Sequence, residues 1–299
     1  LAAVWPEVQT MFAEKHGPPP GRGAVVLGMG SLGARRQHAR SDLDVIVIYD
    51  AQGVEASEGR KPLASRTYYA RLTQALITAM TAPMAEGKLY EIDMRLRPSG
   101  NQGPVATSWA SFQSYQREEA WVWEHLALTR ARVVAGPGKL AEDVEALRKE
   151  VIGKARDVPQ IRRGVAEMRA RIAAAKGPGG PLDAKIGPGR LQDIELFAQL
   201  CALEAGRPVR EAPRALRLAT WLDEDDRKAL IAAYELFWSL QIGARLVSED
   251  AIDPDKLGLG GCTFLLRLAE APDMETMRSD LESRAGRAAE IIGKVLPEP

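Results

Sequence analysis

The chain changes character once, at Gly136-Pro137-Gly138, and that change limits its fold more than any other feature. Strand-like and helical patterns alternate before it. After it every periodic segment is helical, with apolar residues recurring at 3.6-type spacing over residues 139–155, 159–176, 190–205, 223–249 and 273–295. Pro159 and Asp223 suit a first helical turn. Ahead of the break, Leu1, Val4, Trp5, Val8, Met11 and Phe12 mark an amphipathic helix that Gly17-Pro18-Pro19-Pro20-Gly21 must end. Ala24 to Leu27 is a short apolar run bounded by glycine. Residues 43–49 are β-branched and nearly continuous, as in a strand covered on both faces. Residues 89–97 alternate, with Leu89, Glu91, Asp93, Arg95 and Arg97 on one face. Helical patterns fill residues 66–82 and 108–131. The expected architecture is an α/β domain with a mixed sheet and flanking helices over residues 1–136, then an all-α helical bundle over 137–299. The glycine- and proline-rich stretch from Gly177 to Gly189 reads as a loop inside that bundle.

Composition excludes several classes. Forty basic side chains balance forty acidic ones, and the balance holds on both sides of residue 136, so the chain is no basic duplex binder and no nucleic-acid partner is expected. No run of about 18 unbroken apolar residues exists, so no membrane span is expected. The first residues lack the basic and apolar regions of a secretory signal. Cys201 and Cys262 show neither a disulfide framework nor metal-ligand spacing and read as two buried thiols. These features point to the cytoplasm. The chain starts at Leu1 instead of Met, which suggests a piece of a longer protein.

The chemistry is concentrated in Gly28-Met29-Gly30-Ser31-Leu32-Gly33, which leads through ten residues (32–41) to Asp42-Leu43-Asp44 at the head of a strand. Gly28 and Gly30 leave the backbone open to close approach, and a helix starting at Gly30-Ser31 would turn free N–H groups toward phosphate. Asp42 and Asp44 lie two apart on a strand, so both carboxylates leave one face at roughly 6–7 Å between Cα atoms. Asp93, on a later strand, adds a third carboxylate. Three such acids suit Mg²⁺ and a two-metal in-line phosphoryl or nucleotidyl transfer. Alone, the glycines also fit a dinucleotide fold, but that fold wants a lone acid about 20 residues on, closing a second strand. Arg95 and Arg97 share the face of Asp93 and either contact phosphate or pair with the acids. His125 and the set Trp109, Trp121 and Trp123 read as packing residues.

Gly30-Ser31…Asp42-Leu43-Asp44 resembles the signature of the polymerase-β-like nucleotidyltransferases. Within that superfamily, the run from Leu89 to Gly100 and the Glu119-Ala120-Trp121-Val122-Trp123-Glu124-His125 segment resemble the bacterial glutamine synthetase adenylyltransferase family. Those enzymes join two nucleotidyltransferase halves, each with a helical domain. One half adds AMP to a tyrosine of glutamine synthetase and the other removes it. The wording here is closer to the C-terminal, AMP-adding half, and the likeness runs from about residue 22 to 250. It implies ATP as substrate, Mg²⁺ as cofactor, glutamine synthetase as partner, and the PII signalling protein as a partner of the full-length enzyme. It further implies Asp42, Asp44 and Asp93 as catalytic metal ligands, and Gly28, Gly30, Ser31, Arg95 and Arg97 as nucleotide contacts. Asp193-Ile194-Glu195 extends the likeness, and one of Asp193 and Glu195 is expected to reach the cleft, since they lie about 200° apart on a helix. Ser31 stands where the family usually has Lys, Ala34 where it has a second Gly, and Arg190-Leu191-Gln192 interrupts its glycine pair before Asp193. Three rival readings remain: the phosphorolytic removal of AMP, nucleotidyl transfer to a small molecule, and a non-catalytic module sensing nucleotide or PII.

Overall fold

The computed structural model describes residues 1–38, 41–177, 179–248 and 252–297. They fall into two compact units, Leu1–Ile152 and Gly153–Pro299. The first contains α1 (Val4–His16), β1 (Gly23–Gly28), a one-turn α2 (Gly30–Gly33), β2 (Leu43–Asp50), α3 (Ser65–Thr81), β3 (Ile92–Asp93), β4 (Ala106–Ser108), α4 (Trp109–Ser114), α5 (Val122–Arg130), β5 (Arg132–Ala135) and α6 (Gly138–Gly153).

The sheet is mixed, as its sequence implies. β1 runs antiparallel to both β2 and β5, while β3 and β4 pair in parallel with successive stretches of β2. Alternate residues of β1 and β2 enter two cores. On one face Ala24, Val26, Val45, Val47 and Tyr49 meet Trp5 and Val8 of α1 and Tyr68, Tyr69, Leu72 and Leu76 of α3. On the other, Val25, Leu27, Ile46 and Ile48 meet Phe112, Leu128 and the α6 stripe Leu140, Val144, Leu147 and Val151. Cover on both faces explains why β2 is apolar without alternation. It also places α6 with the first unit, beyond the Gly136-Pro137-Gly138 break: its apolar stripe is needed to close the second face of the sheet.

Two segments depart from their sequence patterns. The 89–97 alternation yields a strand of only two residues, because the Asp93 carboxylate accepts the Arg95 backbone N–H at 2.8 Å and turns the chain. Arg97 N–H to Met94 O at 3.2 Å closes that turn, so Asp93, Arg95 and Arg97 do not share a strand face. The 108–131 helix is broken into α4, a π-turn at Tyr115–Glu119, and α5. Glu124, at the third position of α5, accepts the Trp121 N–H at 2.9 Å and fixes a new helix start there. Trp121 is consequently 69% exposed and is not a core residue.

The second unit holds α7 (Val158–Lys176), α8 (Leu191–Glu204), α9 (Ala212–Leu216), α10 (Glu224–Val247), α11 (Pro254–Ala269) and α12 (Met274–Val295). α10, α11 and α12 each begin at an aspartate whose carboxylate accepts an N–H of the first turn: Asp223, Asp253 and Asp273. Ile194, Phe197, Leu200 and Cys201 of α8 and Leu230, Tyr234 and Phe237 of α10 are buried. By length and composition alone α10 is long and apolar enough to cross a membrane, but these buried residues account for its apolar content. α9 and α11 escape the periodicity because α9 has five residues and α11 bends at Gly258 within a glycine-rich run. Cys201 is buried but Cys262 is half-exposed; both are free thiols.

Candidate active site

The antiparallel register of β1 and β2 sets Gly28 opposite Val45, so the turn leaving β1 lies directly over the head of β2. Met29 N–H donates to Asp44 O at 2.8 Å and locks that relation. Gly30 has φ +49°, and a Cβ there would overlap Asp44 Oδ2. Only glycine tolerates both the angle and the contact. Ser31 therefore opens α2 beside the Asp44 carboxylate. The N–H groups of Gly30, Ser31 and Leu32 have no intrahelical acceptor, as in the first turn of any helix. From β5, the Arg132 guanidinium donates to Leu32 O at 3.1 Å and Gly33 O at 3.3 Å, pinning the far end of the turn. Sequence reasoning missed Arg132, which carries no motif. Gly28 plays a different part from the one expected of it. A Cβ there would press on Leu32 Cγ at 2.8 Å and Val134 Cγ1 at 2.9 Å, so its missing side chain makes room for the protein's own packing.

The parallel pairing of β2 with β3 sets Asp44 beside Asp93, and Leu43 N–H donates to Glu91 O at 2.9 Å. Asp42 is exposed just ahead of β2, while Asp44 is half-buried. Burial, then the charges of Asp93 and Asp42, push the Asp44 carboxyl up to about 6, against the weaker pull of Arg130 and Arg95. Arg130, buried at the end of α5, is a second residue that the sequence does not single out. Asp93 behaves in the opposite way. Partial burial would raise its carboxyl, but the guanidinium and backbone N–H of Arg95 overcome that and hold it below the usual range. Arg97 is committed to the loop: its guanidinium donates to Met94 O at 2.7 Å and Gly103 O at 3.2 Å. Glu91 pairs with Lys88, not with Arg95.

Asp44 and Asp93 on paired strands, with Asp42 just ahead of β2, carry carboxylate oxygens, the donor type that hard divalent cations take. Among the described residues, however, no three acidic, His or Cys side chains are gathered closely enough to hold a metal ion. The Asp93 carboxylate is turned onto Arg95 instead.

The other expected residues have partners of their own. His125 Nε2 lies 3.0 Å from the Gln116 carbonyl, a hydrogen bond inside the helical corner. Glu124 accepts Tyr115 O–H at 2.8 and 3.0 Å as well as the Trp121 N–H, so the Trp-rich segment builds a turn. In the second unit, Asp193 takes Arg169 Nε at 2.5 Å, Arg169 Nη2 at 2.8 Å and Gly189 N–H at 2.7 Å. It lines a cavity of about 470 Å³ with Ala166, Ala170, Ala173 and Leu196, and Glu195 does not.

A family model described as glutamate-ammonia ligase adenylyltransferase matches residues 1–147. A relative from Rhizobium meliloti is 41% identical over 292 residues, covering 94% of this chain and 30% of its own length. One from Mesorhizobium japonicum is 40% identical over 291 residues, covering 94% and 29%. One from Xanthobacter autotrophicus is 39% identical over 306 residues, covering 99% and 31%. All three carry the name bifunctional glutamine synthetase adenylyltransferase/adenylyl-removing enzyme. The chain belongs to the glutamate-ammonia ligase adenylyltransferase family. It spans less than a third of the length of these relatives. The adenylyltransferase family match contains Gly28, Gly30, Ser31, Asp42, Asp44, Asp93, Arg95 and Arg97. Asp193 and Glu195 lie outside it.

Proposed function

We propose that this chain transfers AMP from ATP to a tyrosine of glutamine synthetase and releases pyrophosphate, as the AMP-adding half of a longer cytoplasmic enzyme. The observation that carries this reading is the seating of the Gly30-Ser31 turn against Asp44, with Asp93 the neighbour of Asp44 across the sheet. A phosphate on the turn would lie next to the carboxylates. Asp42, Asp44 and Asp93 would hold Mg²⁺, which supplies charge neutralisation of the triphosphate and of the leaving pyrophosphate. The turn's N–H groups and the Ser31 hydroxyl bind phosphate oxygens and orient the α-phosphorus for in-line attack. The attacking tyrosine oxygen forms the new O–P bond as the bond to the β-phosphate oxygen breaks. Its hydroxyl, with an ordinary pKa of about 10, gives up its proton beside the acid cluster. The family's names also support AMP removal as a second reading, in which phosphate is the nucleophile and ADP leaves. The PII protein is proposed as a partner of the full-length enzyme, and neither nucleic acid nor membrane is.

Mass spectrometry of glutamine synthetase after incubation with the chain, ATP and Mg²⁺ tests this. One added AMP on a tyrosine is expected, and Asp42→Asn should abolish it while leaving the fold intact. Labelling by Asp42→Asn at the parent rate would remove the metal assignment. Loss of AMP from adenylylated glutamine synthetase, with phosphate and no ATP, would favour the second reading.

A further inference from the structure

The second unit contains a cavity of about 470 Å³ to which the transfer of AMP assigns no task. Its walls come from three segments of that unit. Ala166, Ala170 and Ala173 belong to α7, Leu196 to α8, and Ile186 and Pro188 to the loop between the two helices. Most of this lining is apolar. The loop wall is held in place from two sides. Gly189 N–H donates to Asp193 at 2.7 Å, and the Arg190 guanidinium donates to Gly180 O at 2.9 Å and to Asp183 O. Gly189, at φ +67°, also sits where a Cβ would overlap the Ala285 carbonyl of α12. A concave, apolar and preformed space of this size is the usual form of a small-molecule site.

The polar side chains of the lining, Arg169, Gln192 and Asp193, determine what such a molecule must carry. Both Asp193 oxygens are engaged: Oδ1 accepts Arg169 Nε, and Oδ2 accepts Arg169 Nη2 and Gly189 N–H. Asp193 therefore grips the side edge of the guanidinium. The outer edge, Nη1 and the second Nη2 hydrogen, has no partner among the described residues. Gln192 gives its carbonyl oxygen to Lys176 Nζ at 3.0 Å, which leaves it N–H groups to offer. What these side chains keep for a ligand is thus hydrogen-bond donors. The charge of Arg169 is already matched by Asp193 at 2.5 and 2.8 Å. A second carboxylate would meet a neutral pair and repulsion from Asp193, and would lose water against alanine and leucine. A neutral acceptor oxygen avoids both costs.

We propose that this cavity is a binding site for a small, neutral, mainly apolar molecule with one acceptor oxygen. Its hydrocarbon body lies against the α7 alanines and Leu196, and its oxygen takes the outer edge of the Arg169 guanidinium. Asp193 is then a positioning residue, which sets the guanidinium at the cavity and cancels its charge. A bound molecule joins α7, α8 and the intervening loop, so it stabilises the second unit by mass action.

The test uses the whole chain, isotopically labelled, and two probes of one skeleton. Benzylacetone carries a ketone where hydrocinnamate carries a carboxylate, a methyl group in one replacing a charged oxygen in the other. The NMR shifts of the Ala166, Ala170, Ala173 and Gly187 amides follow binding. Benzylacetone is expected to bind with Kd on the order of 1 mM, as suits about eleven non-hydrogen atoms. Hydrocinnamate should bind about ten-fold more weakly. Ala170 is exposed, so Ala170→Phe adds a ring at the cavity without entering the core, and should weaken benzylacetone by at least about ten-fold. Ala175→Phe, exposed on the same helix and outside the lining, should bind it like the parent. Asp193→Asn uncovers the Arg169 charge and should reverse the preference, with hydrocinnamate the tighter of the two. Absence of shifts at these amides with benzylacetone, or equal binding by the parent and Ala170→Phe, would overturn the site. Tighter binding of hydrocinnamate by the parent, or an unchanged preference in Asp193→Asn, would overturn the neutral ligand.

Discussion

Asp44 should weaken the metal-free protein at neutral pH, and Asp44→Asn should therefore stabilise it. In the folded chain the Asp44 carboxyl is raised to about 6, from an ordinary 3.8. Between those values the folded state holds a proton that the unfolded state has lost. Stability therefore falls as pH rises through the window, the reverse of a salt-bridged aspartate. Two pKa units correspond to roughly 3 kcal/mol once both states are ionised. Asparagine keeps the shape and removes the charge. Integrating the linkage, the advantage of the variant should grow by roughly 1.5 kcal/mol between about pH 5 and about pH 7.5. Hydrogen exchange of the β2 amides in EDTA is the suitable assay, because it reports on the first unit alone and avoids assuming that both units unfold together. Adding Mn²⁺ at about pH 7.5 should protect the parent and leave the variant unchanged. A variant no more stable than the parent at neutral pH, or an advantage that does not vary with pH, would refute the electrostatic account of Asp44.

Gly30→Ala should cost nucleotide binding at least as much as stability. The substitution places a Cβ on Asp44 Oδ2 and forces a left-handed residue, so the turn must shift, at about 1–2 kcal/mol for the backbone alone. Calorimetry with α,β-methylene-ATP and a thermal melt together check it, and parent-like nucleotide affinity would remove the turn from the site. Arg148→Met should destabilise the first unit by about 3–5 kcal/mol, because the buried guanidinium serves Leu128 O at 2.9 Å and Thr129 O at the end of α5, and Glu145 at 2.9 Å. Hydrogen exchange of the α5 and β1 amides measures it, and a loss under about 1 kcal/mol would mean that water replaces the guanidinium.

The legible parts of the fold are those in which neighbours in sequence are neighbours in space. β2 reads plainly because both faces are covered, and a run of β-branched residues has no other economical use. The Gly30-Ser31 turn and Asp42-Leu43-Asp44 are legible as a pair because β1 and β2 form an antiparallel ladder, which converts a fixed chain spacing into a fixed contact. Periodicity fails at residues 89–97 because side-chain chemistry overrides it: alternation promised a strand, and the Asp93 carboxylate, by capturing the Arg95 N–H, ended it after two residues. The 108–131 helix failed similarly, with the Glu124 carboxylate starting a second helix where an apolar pattern ran on. Both errors concern acids that accept local backbone donors, an option a hydropathy pattern does not register.

What stayed illegible is support contributed from far along the chain. Arg132 reaches Leu32 and Gly33 across about a hundred residues of sequence, and Arg148 holds the carbonyls of α5 from α6. Neither sits in a pattern, since a guanidinium aimed at a carbonyl needs no spacing rule, only a strand or helix that happens to pass. The same argument explains the extension of the first unit to residue 152. Gly136-Pro137-Gly138 is a true break in local structure, but the sheet's second face lacks cover until Leu140, Val144, Leu147 and Val151 arrive. A unit ends where its core is closed, and that point need not coincide with the last turn signal.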